Sequence, residues 1–263
     1  MVNQYIDAHI HLDRYEELDR NRIVKEMADH GVQGLISVSM DLASSMATRS
    51  LYLAHPGQVH PAYGYHPEQP PLAAAELEAL TAWIRAHHSE MIAVGEVGLP
   101  YYSRLEAEAD GRAFSYAPYT EMLEKFIQLA VELNKPIILH AVYEDADLAC
   151  DLLEKHDLQR AHFHWFKGAA DTIDRMIHNR YMISITPDVQ YEEEIQQLVK
   201  QYPLELMMVE TDGPWPFEGP FAGQMTHPHM LSEAVAKIAE LKGISSEEAA
   251  QRLLYNTKSF YGV

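Results

Sequence analysis

A chain of 263 residues with 47% apolar content can bury a sizeable core, and no charged or Gly/Ser-rich run is long enough to be a linker, so it reads as one globular domain over 1–263. The formal net charge of −19 opposes attraction to a polyanion and excludes extended duplex binding, while leaving open a small phosphate ester held by cations. No segment approaches the roughly 20 apolar residues of a spanning helix and the N-terminus lacks a secretory pattern, so a cytoplasmic location with no membrane partner is the expectation.

In chain order, short apolar, β-rich runs alternate with stretches of helical periodicity. Strands are expected at 4–11 (QYIDAHIH), 32–39, 59–65, 91–98 (MIAVGEVG), 136–141 (PIILHA), 160–166 (RAHFHWF), 181–186 and 204–211 (LELMMVET). Helices are clearest at 72–88, 119–134 and 192–202, where apolar residues recur three and four apart. Cys150, the single cysteine, falls in another helical stretch, has no disulfide partner and reads as core. Two longer connections, 99–118 and 212–229, are rich in aromatic and turn-forming residues.

Eight βα units at this length predict a (β/α)8 TIM-type barrel rather than an open sheet. In a barrel the C-terminal ends of all strands meet at one mouth, so residues at the exits of strands 1, 4, 5, 6 and 8 can converge. His9 and His11 share one strand face because side chains alternate with period two, which makes them a chelating pair. Glu96, His140, His164 and Asp212 follow at later strand exits. A carboxylate such as Glu96, bordered by glycines at a barrel mouth, is costly to bury unless cations pair with it. His162 shares a face with His164 but lies deeper and is read as orienting a ligand. Asp7 and Glu210, each two residues before a ligand, are expected to support the metal residues. Tyr101, Tyr102, Arg104, Trp215 and Phe217 are candidate pocket walls, and His66 is a candidate hydrogen-bond partner of the substrate.

The candidate ligands sit in DAHIHLD, VGEVGL, ILHA, HWFKG and ETDGPW; with these stretches, GYHPE and NTKSFYG, the chain over nearly its whole length resembles the TatD-type metal-dependent deoxyribonucleases of the amidohydrolase superfamily. The resemblance implies two divalent ions, one held by His9, His11, Glu96 and Asp212 and the other by Glu96, His140 and His164, with Glu96 bridging. Four imidazoles and two carboxylates favour zinc, manganese, cobalt or nickel over magnesium. The implied reaction is phosphodiester hydrolysis by a metal-bridging hydroxide, with Asp212 as general base and a small phosphate ester or DNA end as substrate.

Three stretches depart from the family pattern. Leu99-Pro100 replaces the usual Leu-Asp of the site rim, Ala141-Val142-Tyr143 replaces an arginine-containing stretch after the strand 5 histidine, and Met225-Thr226-His227-Pro228 replaces an Asn-Glu-Pro stretch, placing His227 among the candidate substrate contacts. With a phosphate-binding arginine missing, hydrolysis of an amide, ester or lactone is the alternative reading, and a catalytically silent binding barrel is the third. No protein partner is deducible.

Overall fold

The computed structural model describes residues 3–263. Eight strands, β1 (Tyr5–Ile10), β2 (Val32–Ser37), β3 (Val59–Tyr63), β4 (Ala93–Gly98), β5 (Ile137–His140), β6 (Ala161–Phe163), β7 (Met182–Ile185) and β8 (Met207–Val209), pair in parallel in chain order. The helices are α1 (Glu17–Glu26), α2 (Leu42–Ala54), α3 (Ala74–Ala86), α4 (Tyr101–Ala109), α5 (Ala117–Leu133), α6 (Glu144–Lys155), α7 (Ala170–His178), α8 (Glu193–Gln201), α9 (Leu231–Lys242) and α10 (Ser246–Tyr261). The predicted (β/α)8 barrel is therefore the architecture. Every expected strand is present because its helix-facing side is apolar and its short β-rich run stands apart from the longer helical periodicity around it.

Two strands, β6 and β8, are cut to three residues each, much shorter than their apolar runs suggest. β6 stops at Phe163, and the chain turns sharply where Trp165 adopts a left-handed φ of 41°. β8 begins only at Met207, because Leu204–Leu206 forms a 3-10 turn. The connection 99–118, expected to be irregular, contains α4. The aromatic residues at its ends mask a run of helix formers, and Arg104 pairs with Glu108 four residues on at 3.1 Å. Among the described residues, no helix is long and apolar enough to cross a membrane.

The seam of the barrel lies between the first and last strands. There the Asp212 amide donates to the His9 carbonyl at 3.0 Å, and the His11 amide donates to the Gly213 carbonyl at 2.8 Å. Below the mouth the interior is polar. His162 is held by the Tyr261 hydroxyl at 2.6 Å and by the Ser184 hydroxyl at 2.5 Å, and Ser184 in turn donates to Glu210 at 2.5 Å. Asp7 accepts from the Thr211 amide at 3.0 Å, from the Thr211 hydroxyl at 2.5 Å and from the His9 amide at 3.3 Å. Burial nevertheless pushes the Asp7 carboxyl up to about 8. Cys150 is buried in the apolar core outside this polar layer.

Gly98 shows how tightly the strand exits are packed. A Cβ there would lie 1.9 Å from the carbonyl oxygen of His140, and the residue's φ of +157° disfavours any side chain. Gly98→Ala must therefore push β4 and β5 apart, with an expected loss of about 3 kcal/mol or more, at or beyond the upper end of ordinary overpacking. Chemical denaturation of the purified variant measures this; a midpoint equal to that of the parent protein would mean the backbones are not in contact there.

Candidate metal centre

Six of the predicted residues converge at the barrel mouth. His9 lies within β1, Glu96 within β4 and His140 at the end of β5, while His11, His164 and Asp212 lie just past their strands. Period two turns His9 and His11 to the same side, with ring centroids 5.2 Å apart. Asp212 has a left-handed φ of 49°, a conformation Asp tolerates better than most residues.

The two oxygens of Glu96 face different partners. Oε2 lies 3.3 Å from His9 Nε2 and 3.2 Å from His11 Nε2, and both nitrogens are 3.5 Å from Asp212 Oδ1. Oε1 lies 2.7 Å from His164 Nε2 and 3.3 Å from His140 Nδ1. Two donors each about 2.1 Å from one ion at the tetrahedral angle would be about 3.4 Å apart, so the first set has the spacing of a shared coordination sphere. Both Glu96 oxygens, His9 Nε2 and Asp212 Oδ1 are buried without a hydrogen-bond partner. Buried polar atoms are rarely left unpaired, and a cation among them supplies the missing partner.

The electrostatics point the same way. Burial alone would raise the Glu96 carboxyl, but the imidazoles of His66, His164 and His9 outweigh it and hold the group well below the usual carboxylate range. Asp212 is likewise lowered against the effect of burial, by its contact with His11 and by His164 and His9. For His11, burial is outweighed by Asp212 and Glu96, which raise the imidazole to about 9. Two ionised carboxylates buried side by side at the mouth are the environment a divalent cation needs.

The TatD-related DNase family model matches residues 6–262. The chain belongs to the TatD family. An uncharacterized metal-dependent hydrolase of Haemophilus influenzae is 36% identical over 255 residues, covering 97% of this chain and 98% of that protein. Human deoxyribonuclease TATDN3 is 26% identical over 264 residues, covering 97% and 94%. The crystal structure of YJJV, a TatD homolog from Escherichia coli, superposes with a TM-score of 0.83 over the whole of both chains at 24% identity, a likeness of fold. This TatD protein is thus a metal-dependent hydrolase of the class acting on ester bonds.

The expected substrate contacts divide in the TatD barrel. Trp215 is 41% exposed with its ring 6.1 Å from His11, and Tyr102 is equally exposed with its ring 6.0 Å from His140, so the two flank the mouth. Tyr101 meets Tyr102 edge-on at 5.3 Å and lies tilted against Tyr143 at 4.9 Å. Arg104 points elsewhere: its guanidinium donates to Tyr116 at 2.9 Å and is paired with Glu108 and Glu144. Two carboxylates already neutralise it, so it is not a free phosphate-binding cation. His227 lies 3.7 Å from Glu26, with its ring beside His30 and His229, rather than among the six converging residues. Phe217 is buried against Phe221 and Met230 and packs its own loop.

His66 is closer to the centre than its place in GYHPE suggested, with Nε2 3.4 Å from Glu96 Oε1. Its Nδ1 accepts the Glu68 amide at 3.2 Å, which puts the proton of a neutral ring on Nε2 and makes His66 a donor toward the mouth. Glu68 and Glu210 complete the surroundings. Glu210 accepts the Trp165 amide at 2.8 Å and stands 3.6 Å from His164 Nδ1. Glu68, which the sequence reading left unassigned, stands 3.3 Å from His140 Nε2. Burial opposes its ionisation, but His140, the Ser103 side chain and the Tyr102 amide lower it to about 2. Its signal was its place beside the strand 3 exit, two residues after His66.

Proposed function

We propose that this chain is a two-cation phosphodiester hydrolase acting on DNA ends or short single-stranded DNA in the cytoplasm. The carrying observation is that the two oxygens of Glu96 face separate donor sets, His9, His11 and Asp212 on one side and His140 and His164 on the other. The name of the human relative, deoxyribonuclease, supports the choice of bond. Zinc, manganese, cobalt or nickel suits these donors, and the bound ions would make water nucleophilic at neutral pH and polarise the scissile group.

The protein's own groups do the rest. Asp212, ionised and facing both histidines of the first set, accepts the nucleophile's proton and passes it to the leaving oxygen. His66 donates through Nε2 to an oxygen of the substrate. Tyr102 and Trp215 offer exposed rings on which bases can stack, each contact worth about 1–3 kcal/mol without sequence preference.

A second reading, hydrolysis of an amide, ester or lactone, is favoured by one observation: the only arginine among the expected mouth residues is already neutralised by Glu108 and Glu144. Assaying metal-loaded protein in parallel on bis-p-nitrophenyl phosphate, a single-stranded oligonucleotide, and a panel of esters, lactones and acylated amines separates the two. Preference for the carbonyl substrates would displace the phosphodiester reading.

A chain of net charge −19 with its mouth arginine paired has few cations with which to displace counterions. For a single-stranded substrate the slope of log affinity against log salt should then be shallow, about −1.5 or smaller in magnitude, corresponding to about two phosphate contacts at about −0.7 each. Measurement of oligonucleotide affinity across salt concentrations checks this; a slope of about −4 would reveal a basic groove and overturn the expectation.

A further inference from the structure

Glu68 makes contacts to both sides of the region around Glu96 Oε1. Its main-chain amide fixes His66, as above, while its carboxylate turns toward His140. That carboxylate is itself held in place. Oε1 accepts the Tyr102 amide at 2.9 Å and Oε2 accepts the Ser103 amide at 2.6 Å, both from the first turn of α4, where helix amides have no intrahelical acceptor. The Ser103 hydroxyl adds a longer bond to the Glu68 carbonyl at 3.4 Å.

His140 supplies the independent observation. It is only 6% exposed, and its Nε2 is buried without a hydrogen-bond partner. The nearest anionic atom is Glu68 Oε1 at 3.3 Å, while Nδ1, the other ring nitrogen, faces Glu96 Oε1 at 3.3 Å and His164 Nε2 at 3.2 Å. A neutral imidazole carries one proton, and whichever nitrogen bears it cannot be a metal ligand. Carboxylate oxygens stand 3.3 Å from both ring nitrogens, so the choice falls to the cation: an ion on the Glu96 side would take the Nδ1 lone pair and leave the ring proton on Nε2, the nitrogen that Glu68 faces.

We propose that Glu68 is a positioning residue for the second donor set, fixing the tautomer and orientation of His140 and linking them to the first turn of α4. The proposal rests on the two-cation reading above for the second ion and for the tautomer of His140; the placement of Glu68 between the His140 ring and α4 stands without any ion. Because α4 also carries Tyr101 and Tyr102, the same carboxylate ties the aromatic side of the mouth to the His140 side.

The test has two arms, on wild type, Glu68→Gln and Glu68→Ala. Nitrogen-15 NMR of the histidine rings should show the His140 proton on Nε2 in zinc-loaded wild type, and in metal-free protein a His140 ring signal that shifts in both variants. In a zinc titration against a chromophoric chelator, wild type should bind in two steps. The variants should keep the first step and lose about 10–100-fold in affinity at the second, Ala more than Gln. A His140 proton on Nδ1 in zinc-loaded wild type, or a metal-free ring signal unchanged in both variants, would overturn the proposal. So would lowered thermal stability with both zinc steps intact, which would reduce Glu68 to a helix cap. A single zinc step in wild type would instead count against the two-cation reading, and the metal-free NMR comparison would still decide the role of Glu68.

Discussion

Asp212→Asn is expected to lower turnover by about two to four orders of magnitude, the usual range for losing a positioned acid-base group, while bound metal is retained. The substitution keeps an oxygen where Oδ1 now lies 3.5 Å from His9 Nε2 and His11 Nε2, and it keeps the shape of the side chain. What it removes is the negative charge: a neutral amide cannot take up a proton at neutral pH. The left-handed backbone at this position is equally open to Asn, so the turn into Gly213 is preserved. Turnover and elemental metal content must be measured on the same preparation, because an emptied centre would also be inactive. A metal-replete variant with near wild-type turnover would remove Asp212 from the role of base.

The second large effect tests whether two ions share Glu96 as a donor. Glu96→Ala deletes both oxygens at once and is expected to lower occupancy at both positions, by more than the roughly 10–100-fold in affinity that loss of an outer hydrogen-bond partner typically costs. His140→Ala is expected to weaken only the position on the Oε1 side, because His140 has no contact with the donors gathered around Oε2. Removing His9 or His11 should weaken the other position first. Metal content after dialysis at a fixed free zinc concentration reads these differences directly. Equal losses from Glu96→Ala and His140→Ala at both positions would mean that the carboxylate does not bridge.

The strands were legible because each is a short, mostly apolar, β-rich run between longer helical patterns, and because each candidate ligand lies within or just after such a run. What the sequence concealed depends on partners far along the chain. Arg104 looked available for substrate until the fold brought Glu144 to it from 40 residues away. Glu68 went unassigned, since the amides that hold it lie 34 and 35 positions later. His227 read as a mouth residue from its neighbours in sequence, yet its side chain turns to Glu26 and His30 beside α1. α4 was hidden for a different reason: aromatic residues at the ends of its segment outweighed the helix formers inside it. Periodicity reports which face of an element is covered, and carries no information about which remote group covers it.

The seam between β1 and β8 has a further consequence for the order of events during synthesis. Asp7 and Thr211, which meet there, are 204 positions apart, and the backbone bonds of His9 and His11 to Asp212 and Gly213 cross the same gap. Until β8 has left the ribosome, the first two histidines face an open cleft with no opposite wall. A nascent chain therefore carries imidazoles and carboxylates in unfinished company for most of its elongation, and the assembled mouth appears only with the final fifth of the polypeptide. Contacts of such long range are also the slowest to form. The amides of His11 and Asp212 should accordingly be among the last in the barrel to gain protection from hydrogen exchange during refolding, and closure of the seam should coincide with the appearance of the site.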